Sequence, residues 1–128
     1  MSGRVYRFGE FELHAKRREL TASGESVRLG GRAFELLDML LAAAGDVVSK
    51  AALYSGIWPG MHVEETNLRV HVSAIRKALG DGQNGRRYIK TVSGRGYAFV
   101  ADVVIFDDDD ARPEGAIQSR RTDAASLR

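Results

Sequence analysis

Thr91 to Val100 reads TVSGRGYAFV, and the reading of this stretch decides the fold. Val92, Tyr97, Phe99 and Val100 favour pleated strand at either end. Between them, Ser93-Gly94-Arg95-Gly96 holds one cation between two glycines, which suits a turn better than a buried strand. The stretch is therefore a β-hairpin with Arg95 at its tip. An ordinary hairpin carrying a solvated arginine would satisfy the same residues, so the meaning of Arg95 has to come from what surrounds it.

Directly upstream, Arg86 to Val92 reads as a further strand. Before that lies EETNLRVHVSAIRKAL, Glu64 to Leu79. Helical spacing brings Leu68, Val72, Ile75 and Leu79 onto one stripe, the face that must be buried. The opposite side carries Thr66, Arg69, Val70, Ser73 and Lys77, with Asn67 and Ala74 on one shoulder and Arg76 on the other. Glu64 and Glu65 complement the positive end of the helix dipole, and Gly80-Asp81-Gly82 ends the run. His71 sits beside the core stripe and reads as a packing residue.

Two shorter helices precede this one. Arg32 to Ala44 has Phe34, Leu37, Leu40 and Leu41 in register for a core stripe, and Gly45-Asp46 closes it. Ser49 reads as the N-cap of a helix from Lys50 to about Ile57, stopped by Trp58-Pro59-Gly60. Met61-His62-Val63 is loop. The first thirty residues alternate as short strands, with Ser23-Gly24-Glu25-Ser26 as a hairpin turn, and make an antiparallel sheet of three or four strands. The expected fold class is α+β: an N-terminal antiparallel sheet, three helices and a C-terminal hairpin.

Composition narrows the function. The chain has 128 residues, 44% of them hydrophobic and 28% charged, and no cysteine, which rules out disulfides and cysteine-based metal sites. His14, His62 and His71 lack metal-ligand spacing, so neither metal nor cofactor is expected. The N-terminus MSGRVYRFGEFEL is not signal-like, and no stretch approaches the roughly 20 apolar residues that cross a bilayer. A cytoplasmic protein with no membrane contact by this segment is expected.

The net charge of +2 conceals a local excess: Thr66 to Gly96 holds Arg69, Arg76, Lys77, Arg86, Arg87, Lys90 and Arg95 against Asp81 alone. Such clustering is the electrostatic footprint of a nucleic-acid binder. The outer face of the third helix mixes cations, amides, hydroxyls and small apolar groups, the set a major-groove reader needs. A slim tip with one guanidinium suits a narrow minor groove. No nucleophile with its base and no phosphate loop is present, so no enzyme is expected; Gly94-Arg95-Gly96 lacks the context of a dinucleotide fingerprint. After Ile105 the chain turns acidic and aperiodic, which sets an expected domain of 1–105 and a disordered tail or linker of 106–128.

FGEFEL, GESVRLGGRAFELLDMLLAAAGDVVSKAALYSGIW, RVHVSAIRKAL and YIKTVSGRGYAFV, in this order and spacing, resemble the winged-helix effector domain of OmpR/PhoB-type transcriptional regulators over about residues 7–101. The resemblance implies sequence-specific binding of double-stranded DNA for transcription control. It implies a third helix in the major groove, with Thr66, Asn67, Ser73 and Ala74 facing DNA beside Arg69, Val70 and Lys77. The hairpin is then the wing at the minor groove: Arg95 inserts, Thr91 and Tyr97 meet the backbone, and Arg87, Lys90 and Arg76 add cations. Arg76 has an alternative, pairing with Glu35, Asp38 or Glu65. Trp58 would meet phosphate, and Pro59, Gly60, Met61, His62 and Val63 would form a loop that touches RNA polymerase.

Relatives often carry an acid where Arg69 stands, an arginine where Ala74 stands, and some a wing arginine at the place of Ser93, so the bases read are altered. The domain begins within ten residues of Met1, with no receiver domain ahead of it, which looks like regulators whose winged helix is N-terminal. Dimeric or tandem binding on repeats is the expected assembly. A winged helix that binds protein rather than DNA is the rival; it would usually lose cations from the third helix and wing.

Overall fold

The computed structural model describes residues 3–60 and 65–107. Four strands come first: β1 (Arg4–Phe8), β2 (Phe11–His14), β3 (Glu19–Ala22) and β4 (Glu25–Val27). They pair antiparallel in sequence order. A hairpin turn stands where the sequence predicts one, but positive φ at Ser23 (51°) and Gly24 (87°) makes it a two-residue turn of the primed kind, and Glu25 and Ser26 of the expected turn belong to β4.

Helix α1 (Gly31–Ala42) follows, one residue earlier at its start and two shorter at its end than the expected 32–44. It buries Ala33, Phe34, Leu36, Leu37, Leu40 and Leu41. Strand β5 (Val47–Ser49) was not foreseen; it leads into helix α2 (Lys50–Ile57). The Ser49 side chain accepts the Ala52 N–H at 3.0 Å, the expected cap.

Helix α3 (Glu65–Leu79) buries Leu68, Val72, Ile75 and Leu79, the stripe read from the periodicity. It ends in a Schellman arrangement: the Asp81 N–H donates to the Arg76 carbonyl at 2.9 Å, and Gly80 takes φ +72°. Strands β6 (Ile89–Val92) and β7 (Gly96–Phe99) form the hairpin, and β5 pairs with β7 to give a second sheet of order β5-β7-β6.

A last strand, β8 (Val104–Asp107), pairs antiparallel with β1, Val5 opposite Phe106, and makes the first sheet five-stranded. The sheet thus runs past the boundary expected at residue 105, to Asp107. The sequence signal was weak because Val104 and Ile105 are exposed on an edge strand and Asp107 opens the acidic run. Residues 108–128 of the expected tail lie outside the described residues.

The helices and both sheets share one core. Phe8, Phe11, Tyr88 and Phe99 bring the two sheets together, with ring centroids 5.1–6.2 Å apart. No helix among the described residues is long and apolar enough to cross a membrane.

Candidate nucleic-acid interface

The surface that carries the charge is built from α3 and the β6–β7 hairpin. Because the α3 stripe is consumed by the core, Asn67, Arg69, Val70, Ser73, Ala74 and Lys77 are left exposed. Val70 is 56% exposed, an apolar side chain in the middle of a polar face. Thr66 lies in α3, but its side chain is outside what the structure describes. Arg87, Lys90, Thr91 and Arg95 are exposed in the hairpin or just before it, and Arg76 ties β6 to α3 through the Ile89 carbonyl and Thr91 Oγ1.

The two glycines of the hairpin have different physical causes. Gly94 takes φ +75° at the third position of a turn closed by the Arg95 N–H and the Val92 carbonyl at 2.9 Å. Gly96 is buried, paired with Ser49, and a Cβ there would sit 2.9 Å from the Val48 carbonyl carbon and 3.0 Å from Ser49 Cα. Gly94 serves the turn, as the sequence predicts; Gly96 is needed for the approach of β5, not for flexibility. The tip is further tied down by the Lys50 N–H, which donates to the Arg95 carbonyl at 3.2 Å. Arg95 is thus carried on an anchored loop.

Two expected contacts are core residues. Tyr97 is 4% exposed and Trp58 7%, so each offers only an edge to a ligand. Trp58 packs against His71, centroids 5.6 Å apart, and against Tyr54 at 6.2 Å, with the Arg32 guanidinium 6.0 Å from its ring. Arg32 also donates to the Ile57 carbonyl at 2.7 Å, fastening α1 to the end of α2. His71 is the packing residue its position suggested. Pro59 and Gly60 follow in a turn, while Met61, His62 and Val63 lie outside the described residues.

Arg76 turns inward. Its Nη2 donates to the Ile89 carbonyl at 3.1 Å and to Thr91 Oγ1 at 2.8 Å, and its Nε is buried with no hydrogen-bond partner. The alternative partners Glu35 and Asp38 do not hold it; the backbone of β6 does.

Sequence reading passed over Asp81. Its Oδ2 accepts the Tyr88 and Ile89 N–H groups at 2.8 and 2.9 Å, its side chain is 3% exposed, and Arg87 stands 3.9 Å from Oδ1. The available signal was its isolation: one acid in a stretch of seven cations. Among the described residues no group of His, Asp or Glu is arranged to hold a metal ion.

Comparison with known proteins agrees with this architecture. The family profile described as "Transcriptional regulatory protein, C terminal" matches residues 24–99. The phosphate regulon transcriptional regulatory protein PhoB of Rhizobium meliloti is 37% identical over 95 residues, 73% of this chain and 41% of PhoB. The cholera toxin transcriptional activator of Vibrio cholerae is 32% identical over 96 residues, 73% of this chain and 33% of the activator. The chain spans less than half the length of these curated relatives.

Among solved structures, the DNA-binding domain of Klebsiella pneumoniae RstA in complex with the RstA box superposes with a TM-score of 0.64. It is 28% identical, and the match covers 75% of this chain and 96% of that one. The DNA-binding domain of E. coli CadC gives a TM-score of 0.71 at 25% identity, covering 83% and 100%. The matched profile takes in α1, α2, α3 and the hairpin whose geometry is given above, and with these relatives it places the chain in the OmpR/PhoB-type family of transcriptional regulatory DNA-binding domains, a family of transcription factors and not of enzymes.

Proposed function

We propose that the chain reads a specific sequence of double-stranded DNA, with α3 in the major groove and the β6–β7 wing at the adjacent minor groove. The observation that carries this is the exposed outer face of α3, Asn67, Arg69, Val70, Ser73, Ala74 and Lys77, set beside a wing whose anchored tip presents Arg95. Asn, Ser and the cations supply hydrogen bonds to base edges and phosphates, and Val70 and Ala74 supply apolar contact for thymine methyls. Thr66 joins this set from the first turn of α3. Arg87, Lys90 and Thr91 supply phosphate contacts, and Arg95 enters the minor groove, where a narrow A·T tract concentrates negative potential. Trp58 and Tyr97 support this surface from the core and offer phosphate only their exposed edges.

The turn at Pro59 and Gly60 and the following Met61, His62 and Val63 form the contact for RNA polymerase in this reading. The domain binds as two copies on repeated half-sites, because one helix and one wing read too few base pairs for tight binding.

Selection of the whole chain on a randomised duplex pool tests the reading. One enriched short motif, recovered in two copies at helical-turn spacing, is the expected result. Salt-sensitive retention without a motif would remove sequence specificity from the chain. No retention even at low salt would replace DNA with a protein partner.

A further inference from the structure

Strand β6 is the outer strand of the wing sheet, with β7 on one side and, among the described residues, no strand on the other. The antiparallel register pairs Ile89 with Phe99 and Lys90 with Ala98, and the Val100 N–H donates to the Tyr88 carbonyl at 2.8 Å. The Tyr88 carbonyl and the backbone groups of Lys90 therefore bond across the hairpin, and those of Ile89 and Thr91 point away from it. An edge strand left so would have a row of open donors and acceptors.

Here the row is occupied by side chains from the end of α3. The Ile89 N–H goes to Asp81 Oδ2 at 2.9 Å and the Ile89 carbonyl to Arg76 Nη2 at 3.1 Å. The same Nη2 reaches Thr91 Oγ1 at 2.8 Å. A single residue of the wing is thus held at its carbonyl by Arg76 of α3 and at its N–H by Asp81 just beyond that helix, and the next outward residue is held by its hydroxyl.

We infer that Arg76 is a positioning residue for the wing and not a phosphate ligand, and that with Asp81 it fixes the separation between α3 and Arg95; this rests on the DNA-binding reading above. Three features support it. The guanidinium is engaged by internal acceptors and its Nε is buried. Lys77, its neighbour in the chain, is exposed and carries the positive charge outward. Thr91 Oγ1, by accepting from Arg76, is left with its one O–H hydrogen to donate elsewhere, so the same contact aims Thr91 outward. Lysine is a poor substitute, because its stem ends one bond short of Nη2 and lacks the planar group that aims that one nitrogen at both acceptors.

The test measures affinity and its salt dependence for a duplex carrying the selected motif, using the whole chain and Arg76→Met, Arg76→Lys, Arg95→Ala and the double variants. A phosphate ligand contributes about 0.9 to the slope of log affinity against log salt. The expected result is that neither Arg76 variant lowers the slope by more than Arg95→Ala lowers it in the parent, because the only cation withdrawn from the DNA is the one the wing carries. Arg95→Ala, costing about tenfold in the parent, should cost almost nothing in either Arg76 background, because the tip no longer reaches its groove. A slope reduced by about 0.9 in Arg76→Met, restored in Arg76→Lys, with the Arg95→Ala loss intact, would overturn the inference and make Arg76 a phosphate contact.

Should Arg76→Met not fold, the Nε–H resonance of Arg76 in the parent chain decides. It stays in place when duplex is added if the guanidinium keeps its internal partners, and it moves if phosphate captures it. A parent chain that retains no duplex at low salt overturns the DNA-binding reading itself, and is seen in the first titration before any variant is made.

Discussion

Gly96 lies against the backbone of Val48 so closely that a methyl group on it would press into the Val48 carbonyl, with the carbonyl carbon 2.9 Å away. The β5–β7 pairing therefore depends on glycine at this position for space alone. Gly96→Ala is expected to cost about 1–3 kcal/mol by forcing the two strands apart. Gly94→Asn, at φ +75° with nothing within 4 Å of a Cβ, should cost under about 1 kcal/mol, since asparagine tolerates the left-handed region. Urea unfolding of the two variants checks the contrast; equal losses would mean that the approach of Val48 is not what selects glycine.

Asp81 accepts two buried backbone N–H groups, those of Tyr88 and Ile89. Asp81→Ala leaves both without an acceptor and is expected to cost at least about 2 kcal/mol. Asp81→Asn keeps one acceptor oxygen and should cost less. Chemical denaturation orders the three proteins, and protection of the Tyr88 and Ile89 amides from hydrogen exchange locates the loss at the start of β6.

In the proposed complex, Lys77 and Arg95 are expected to contribute differently to DNA binding. Lys77→Ala removes a surface cation from α3 and is expected to weaken binding to all sequences alike, lowering the salt slope by about one. Arg95→Ala is expected to weaken binding most on sites with a narrow A·T minor groove beside the α3 half-site. Titrations at several salt concentrations on A·T- and G·C-flanked duplexes separate the two effects. No change in either variant would remove both residues from the interface.

Asp38 on α1 is half-buried, and burial raises its carboxyl above the ordinary aspartate value in spite of the lowering pull of Arg4 and Arg18. The folded state therefore holds this proton more tightly than the unfolded chain does. Stability contributed by Asp38 is greatest in acid, below the unfolded value, and is lost as pH rises through the folded one. Asp38→Asn, which cannot ionise, is expected to stabilise the fold near about pH 7 and to bring no gain near about pH 3. Denaturation midpoints at the two pH values test the sign.

Strand β8 closes the first sheet on β1, and its Phe106 lies 5.3 Å from the Arg7 guanidinium. A chain ended at Val103 loses this ladder and should unfold at least about 1 kcal/mol more easily than one ended at Asp107. Equal stability of the two truncations would make β8 incidental to the fold.

Much of this protein was determined by its sequence over short windows. The α1 and α3 stripes, the Ser49 cap, the Ser23-Gly24 turn, the Gly80 helix stop and the hairpin around Gly94 follow from side-chain periodicity and backbone preference, which act within one or two turns of chain. The crowding of cations between Thr66 and Gly96 is likewise local, and it marks the surface proposed to meet DNA.

Tertiary structure alone decided the rest. β5 and β8 are short strands whose partners lie some 50 and 100 residues away in sequence, so no local pattern marks them. Trp58 and Tyr97 have polar tips that suit a surface, and packing buried them. Arg69, Arg76 and Lys77 look alike as cations on one helix. What separates Arg76 from its neighbours is that Ile89 and Thr91, 13 and 15 residues on, return to accept its hydrogen bonds. A cation's destination is set by which acceptors the folded chain brings within its reach, and those acceptors come from elsewhere in the sequence.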